Sequence, residues 1–166
     1  MDADILEELY RKYYSGAVLY CLALCGDEHL AQDLASDAFV KAYLSLPNRV
    51  PSFRYWLLRV CKNLWIDHLR RRKWETTAEP LEHIPDSTTP ESRYLQTEQK
   101  RCLWNCISQL PPQDRELLVL HYVSGLRLQE AAGLMGITYA AARQRMVRLR
   151  QTLKTRMEEQ GYGELE

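Results

Sequence analysis

A run of aromatic and basic side chains in the middle of the chain has the composition of a surface that binds single-stranded nucleic acid. Residues 53–73 read FRYWLLRVCKNLWIDHLRRRK, in which rings and guanidinium groups could stack on unpaired bases while cations hold phosphates. Asn63 and Asp67 add an amide and a carboxylate, which can hydrogen-bond to base edges. A solvated helix end that complements the helix dipole is the alternative interpretation of the cations at 70–73. Their combination with Asn63 and Asp67 favours nucleic acid.

A second basic segment has the pattern of a helix-turn-helix, a motif that lays its second helix in the major groove of duplex DNA. The pattern predicts a short helix over 128–135, a turn over 136–138 and a long basic helix from Tyr139 on. Gly133 inside the short helix weakens it by about 1 kcal/mol relative to alanine. The turn predicts a close helix crossing at Ala132, a left-handed conformation at Gly136, a core contact of Ile137 and a helix cap at Thr138.

The start of the predicted second helix carries the candidates for contacts with duplex DNA. Arginine and glutamine can each make two hydrogen bonds to one base, and a good pair discriminates by about 1–3 kcal/mol. An amphipathic helix with a solvated basic face is the alternative, but the Ala–Gly–Ile–Thr pattern of the turn favours DNA. We expect base contacts from Tyr139, Ala140, Arg143 and Gln144, and phosphate or packing contacts from Arg145 and Arg148. Thr138 is also expected to belong to this DNA-binding surface.

The distribution of charge along the chain supports two separate contacts with nucleic acid. The formal net charge at pH 7 is zero, with 22 basic and 22 acidic residues. Residues 49–74 nevertheless hold eight arginines and lysines against one acid, and residues 123–157 hold seven against one. Because phosphates are bound by local clusters of cations, two basic segments on an otherwise acidic chain predict two nucleic-acid contacts.

Composition and cysteine usage limit the class of protein. A chain of 166 residues with 46% hydrophobic and 27% charged residues is typical of a globular protein. No apolar run approaches the roughly 18 residues of a membrane span and the first residues are acidic, so we expect no membrane insertion and a cytoplasmic location. Cys21, Cys25 and His29 could line one helix face, but Gly26 and Asp27 should break that helix, and no fourth ligand follows at zinc-finger spacing. We expect reduced packing cysteines, no metal and no cofactor.

Apolar residues recur at helical spacing almost everywhere, which predicts an all-α fold. We expect two small helical domains, 1–74 and 92–166, joined by a flexible acidic linker over 75–91, where prolines and a Thr/Ser cluster interrupt the periodicity. Trp56 and Trp65 are predicted to be core residues. Helices outside the helix-turn-helix are expected from near Leu6, from Glu28 to about Leu46 after a cap at Asp27, from Ser52 to about Lys73, from Ser92 to Gln109, and from Pro111 to about Val123.

Together these segments resemble the extracytoplasmic-function sigma factors of bacterial RNA polymerase. The run over 53–73 is similar to the family's promoter-melting region, and DLASDAFVKAY over 33–43 is similar to the preceding core-binding helix. LPPQDRELL over 110–118, followed by the helix-turn-helix, resembles the domain that reads the −35 element. The resemblance covers about residues 5–158, with the segments in the family's order and spacing.

The resemblance implies a subunit of RNA polymerase that reads promoters and has no catalytic residues. Its partners would be core RNA polymerase, through the β′ clamp and the β flap, promoter DNA in duplex and melted form, and an anti-sigma factor. The resemblance implies that a flipped base of the −10 element is read with the loop over 47–51. The residues implied at this element are Asn48, Arg49, Asn63, Asp67, Arg70 and Arg71. Residues implied at the polymerase clamp are Asp33, Asp37, Phe39 and Lys41.

The chain departs from the family pattern in the predicted recognition helix, and two other functions compete with this one. Ala141 stands where many members have threonine, and Ala142 where they have valine, which affects the grip on the −35 element more than its location. A helical regulator that binds duplex DNA alone through residues 126–150 is an alternative, but it leaves the central run unused. A nucleic-acid-processing enzyme has little support, because the chain has no Gly-rich phosphate loop or nucleophile elbow and its four histidines are scattered.

Overall fold

The computed structural model describes residues 3–45, 52–75 and 97–162. Within these ranges the chain forms helices and no strand, which confirms the all-α prediction. None of the described helices combines the length and the hydropathy that a membrane span requires. The chain divides into two compact units, Met1–Pro85 and Asp86–Glu166. The predicted linker over 75–91, apart from its first residue, and the predicted loop over 47–51 lie outside the described residues.

Three helices are described in the first unit: α1, Ala3–Cys25; α2, Glu28–Ser45; and α3, Phe53–Glu75. The chain leaves α1 through Gly26, whose φ of 73° is left-handed. Asp27 then caps α2, because its Oδ1 accepts a hydrogen bond from the Leu30 amide at 3.2 Å. Both the break and the cap agree with the prediction.

Small side chains let α2 approach its neighbours closely. Every third or fourth residue along one side of α2 is a fully buried alanine: Ala31, Ala35, Ala38 and Ala42. α3 contributes Leu57, Leu58 and Cys61 to this core, each at most 2% exposed. Beyond Cys61, none of the α3 side chains that the structure describes is buried. The second half of α3 is therefore free to present its side chains to a ligand.

The described part of the second unit contains four α-helices: α4, Glu98–Ser108; α5, Pro112–Leu118, which continues into a π-helical turn over Val119–Val123; α6, Leu128–Met135; and α7, Tyr139–Glu159. The helix predicted from Ser92 begins at Glu98, because the Thr97 hydroxyl accepts from the Lys100 amide at 3.1 Å and caps it; residues 92–96 lie outside the description. α7 packs against α4, α5 and α6 and so forms the centre of this unit.

The turn between α6 and α7 agrees with the predicted helix-turn-helix. Gly136 has a φ of 72°, and the Ile137 amide donates to the Ala132 carbonyl at 3.0 Å, a bond that closes the end of α6. Thr138 Oγ1 accepts from the Ala141 amide at 3.1 Å and begins α7. Ala132 is 1% exposed, as the predicted close crossing requires. Ile137, predicted to fill the core, is only half-buried because it follows a surface turn that leaves one of its sides uncovered.

Candidate nucleic-acid interface

One exposed face of α3 carries Asn63, Asp67 and Arg70 in a line. Spacings of four and three residues place them on the same side of the helix, and all three are exposed. Arg70 Nη1 lies 3.9 Å from Asp67 Oδ1, and the two side chains are 75% and 55% exposed. An ion pair this exposed is weak, so both groups can exchange it for contacts with a ligand.

The cations that end α3 lie beside this line. Arg71 and Lys73 are exposed and Arg72 is half-buried. Cations at the C-terminal end of a helix are stabilised by the helix dipole, which favours this cluster in the folded chain. Asn48 and Arg49, the two remaining candidates for the −10 element, lie outside the described residues. The described part of this candidate site consists of Asn63, Asp67, Arg70 and Arg71.

The core placement predicted for two tryptophans of α3 is wrong. Trp56 is half-buried and stacks on Phe53, with ring centroids 6.0 Å apart. Trp65 is also half-buried and stacks on His68 at 5.8 Å. The side of α3 that faces α1 and α2 is filled by leucines and a cysteine, so the wider indoles lie on its flanks.

The last turn of α3 exposes a tryptophan that the sequence analysis did not assign to the site. Trp74 is 90% exposed. It follows Arg70 by four residues and Asp67 by seven, so it extends the line that starts at Asn63. Helical spacing alone could have indicated this residue, had the predicted helix not been ended at Lys73.

The first turns of α7 form the second candidate surface. Tyr139, Ala140, Arg143 and Gln144 are exposed together, and Thr138 is exposed at the start of the helix. The Arg143 guanidinium lies 5.7 Å from the centroid of the Tyr139 ring, a cation–π contact that limits the positions of both side chains. The structure therefore brings the predicted base-facing residues onto one surface.

Arg145 and Arg148, for which the sequence predicts the same role, have different surroundings. Arg145 is half-buried, and its Nη1 donates to Gln113 Oε1 at 3.0 Å and lies 4.0 Å from Asp114 Oδ1. Arg148 is exposed. Arg145 therefore connects α7 to the start of α5, and Arg148 is the better placed of the two for a phosphate.

Two further residues of α7 bear on this surface: a buried alanine that does not belong to it and an exposed valine that does. Ala142 is fully buried, so the small residue at this family position allows α7 to pack closely within its unit. Val147, which the sequence analysis did not single out, is 67% exposed. It borders a shallow depression of about 320 Å³ together with Ala140, Arg143 and Gln144. Val147 follows Gln144 by three residues, Arg143 by four and Ala140 by seven, so helical spacing could have identified it.

α2 presents a third surface. Asp33, Asp37 and Lys41 follow one another at intervals of four residues and are all exposed. Phe39 differs, because it is 5% exposed and its ring lies 5.1 Å from that of Tyr10. The ring packs α2 against α1, and the polymerase contact expected of Phe39 stays a prediction.

Two aliphatic side chains enlarge the α2 surface. Val40 is 55% exposed and Leu44 is 73% exposed. They lie three and seven residues after Asp37, on the same side of the helix. A group of exposed apolar side chains beside charged ones is typical of surfaces that bind other proteins.

The cysteines lie mostly in the two cores, and none forms a disulfide. A hydrogen bond with Cys61 and burial raise the pKa of the Cys21 thiol well above its ordinary value. Cys25 ends α1 and His29 lies on α2, so the helix face that might have held a metal is broken as expected. Across the described ranges, no group of three or more potential metal ligands is found.

Comparison with known proteins gives a consistent result for both units. The chain matches the family models "Sigma-70 region 2" over residues 9–75 and "Sigma-70, region 4" over residues 100–153. ECF RNA polymerase sigma factor SigM of Bacillus subtilis is 32% identical over 151 residues, which cover 90% of this chain and 93% of the relative. ECF RNA polymerase sigma factor SigE of Mycolicibacterium smegmatis is 30% identical, and the match covers 89% of this chain but 60% of that relative.

A solved structure shares the fold. The sigma factor RpoE of Bartonella quintana, crystallised in complex with the anti-sigma factor NepR, has a TM-score of 0.65 to this chain at 18% sequence identity. The match covers 92% of this chain and 96% of that one. At this level of identity the likeness concerns the fold alone.

Proposed function

This chain belongs to the extracytoplasmic-function sigma factors of the sigma-70 family, which direct core RNA polymerase to promoters, and we propose that α3 reads and melts the −10 element while α7 reads the −35 element. In this proposal Asn63, Asp67 and Arg70 contact a base that leaves the duplex. Arg143 and Gln144 contact base edges in the major groove.

The exposed line on α3 is the observation that favours this division of roles. A regulator that binds duplex DNA alone needs only a recognition helix such as α7. The amide, carboxylate and guanidinium of Asn63, Asp67 and Arg70 lie on the other unit, beside the cations that end α3. Such a mixture of hydrogen-bonding groups and cations suits an unpaired strand. A regulator that binds only duplex DNA would not need it.

The proposed domains follow the sequence analysis, with region 2 over 1–74, a linker over 75–91 and region 4 over 92–166. The α2 surface with Asp33, Asp37 and Lys41 is proposed to bind the β′ clamp of the polymerase. Region 4 is proposed to bind the β flap. Because two weak DNA contacts on one tether act together through effective concentration, the chain should bind promoters poorly without core polymerase.

Three further proposals concern the protein in the cell. The exposed apolar residues of α2 would also be the surface that an anti-sigma factor masks, in line with the complexes in which structural neighbours were crystallised. The protein is proposed to act in the cytoplasm, where its polymerase is. It is proposed to have no catalytic activity of its own, since the polymerase carries out the chemistry.

Run-off transcription with purified core RNA polymerase tests this function. The reaction contains promoter fragments from the protein's own genome, with and without the full chain, and open complexes are followed in parallel. We expect initiation at a defined set of promoters only when the chain is present. Asn63→Ala and Arg70→Ala should each reduce it about tenfold or more, since one base contact or one stacked base is worth about 1–3 kcal/mol.

A matched control separates base reading from general charge. Lys73→Ala removes one exposed cation from the same helix but from outside the line of Asn63 and Arg70. It should reduce initiation less than Arg70→Ala does. Tight binding of duplex DNA without core, together with no initiation on any promoter, would instead establish the free-standing regulator.

A further inference from the structure

Trp74 is an unusual side chain to find on a protein surface. An indole removes 150–250 Å² from water when buried, yet this one is 90% exposed at the end of α3. No residue of α3 after Cys61 is buried within the described ranges, so Trp74 contributes nothing to the core of its unit. A large aromatic surface in this position points to a ligand.

The position of Trp74 relates it to the candidate −10 residues. Asn63, Asp67, Arg70 and Trp74 are separated by four, three and four residues, so they form one line along the helix. Four residues of α-helix advance about 6 Å along its axis. Trp74 therefore lies about one helical turn beyond Arg70, close enough to contact a nucleotide next to the one that Arg70 contacts.

The charges around Trp74 indicate which ligand it takes. Arg70, Arg71 and Lys73 are exposed within one helical turn of the indole; the acids of α3 near it are Asp67, which already has a cation beside it, and Glu75, the next residue. An aromatic ring among cations suits a nucleotide, because the ring stacks on the base while the cations bind the phosphates on either side. An apolar pocket on a protein would have no comparable need for three cations.

We propose that Trp74 stacks on an unpaired base at the edge of the melted −10 DNA, next to the base that Asn63, Asp67 and Arg70 read. This inference rests on the proposed function, since it requires a melted strand along α3. Trp74 acts as a platform that holds the strand open at one end. Because stacking is tolerant of base identity, the contact adds affinity for the open strand without adding sequence preference.

A scan with the fluorescent base 2-aminopurine tests the stacking directly. Holoenzyme is assembled from core and the full chain on a premelted promoter that run-off transcription has identified, with 2-aminopurine placed at one position of the −10 region at a time. We expect quenched emission at a position next to the flipped base. Trp74→Ala should restore that emission and slow open-complex formation on the duplex promoter about tenfold. Trp74→Phe should preserve most of the quenching and most of the rate of open-complex formation.

Two controls keep the result specific to the ring. Lys73→Ala removes a neighbouring cation and should weaken binding of the strand without moving the quenched position. Circular dichroism of Trp74→Ala should match that of the unsubstituted chain, because the side chain is exposed.

The possible outcomes separate this inference from the function on which it rests. Normal initiation by the unsubstituted chain, with emission unchanged by Trp74→Ala at every position, would overturn the stacking role alone. A loss of affinity of Trp74→Ala for core polymerase, again with unchanged emission, would overturn it in favour of a protein contact. Absence of initiation by the unsubstituted chain would overturn both proposals.

Discussion

The guanidinium of Arg145 reaches back to the side chain of Gln113, 32 residues earlier, with Nη1 and Oε1 3.0 Å apart. The neighbouring Asp114 adds a carboxylate 4.0 Å from the same guanidinium. These contacts join the recognition helix α7 to the first turn of α5. The orientation of the proposed −35 surface therefore depends partly on polar contacts between these two helices, in addition to the packing of their apolar sides.

Arg145→Ala should destabilise the chain more than Arg148→Ala. Loss of the contacts with Gln113 and Asp114 is expected to lower the free energy of unfolding by about 1 kcal/mol. The exposed Arg148 should change it by less than about 0.5 kcal/mol. Urea denaturation of the full-length variants measures both values, and Gln113→Ala should reproduce part of the Arg145 effect. Equal destabilisation by the two arginine variants would contradict the role assigned to the bridge.

Thr138→Ala should weaken the start of α7. The hydroxyl accepts a hydrogen bond from the Ala141 amide at 3.1 Å, and loss of such a cap costs about 1 kcal/mol. Thr138→Ser keeps the hydroxyl and should be nearly as stable as the unsubstituted chain. Thermal denaturation compares the three proteins, and similar midpoints for serine and alanine would show that the cap contributes nothing.

Gly136→Ala should destabilise the helix-turn-helix through the backbone alone. A Cβ at this position meets no atom within 4 Å, so no clash contributes. The φ of 72° is left-handed, however, and an L-residue there costs about 1–2 kcal/mol. Gly136→Asn should be milder, because asparagine adopts this conformation more readily than alanine. Chemical denaturation checks the order, and an alanine variant as stable as the original would contradict it.

Arg143→Ala and Arg148→Ala should affect promoter binding in different ways. If Arg143 contacts a base, its loss should relax the preference at one −35 position by about 1–3 kcal/mol. If Arg148 contacts a phosphate, its loss should weaken binding of all promoters and lower the slope of log affinity against log salt by about 1. Binding of holoenzyme to promoters with single −35 substitutions, at several salt concentrations, measures both effects. If loss of Arg148 relaxed the preference at one position and loss of Arg143 weakened binding of all promoters, the two roles would be reversed.

Cys21 should make the stability of the first unit sensitive to alkaline pH. The raised pKa of this thiol means that the folded chain keeps its proton at pH values where the unfolded chain releases it. The stabilisation is therefore complete below the ordinary pKa of 9.0 and is lost as the pH rises toward the folded-state value. Unfolding free energies of the unsubstituted chain and of Cys21→Ala, compared from pH 7 to 10, should converge or cross as the pH rises. A constant difference would contradict the assignment.

Helical periodicity and turn chemistry were sufficient to predict most of the secondary structure. The cap at Asp27, the left-handed Gly136 and the cap at Thr138 depend on residues within a few positions of one another, so their effects can be read locally. The π-helical turn over Val119–Val123 was not predicted, because its wider register has no distinctive composition. The candidate surfaces on α3 and α7 were also apparent from helical spacing.

The sequence by itself determined the helices, the helix-turn-helix and the positions of two basic segments, because each depends on spacing along one stretch of chain. Tertiary structure decided which side of each helix is buried. It placed Phe39 in an aromatic cluster, moved Trp56 to a flank and left Trp74 exposed. It also joined Arg145 to Gln113 across 32 residues. Burial is a property of packed neighbours, and helical spacing limits the possible faces without specifying which one another helix will cover.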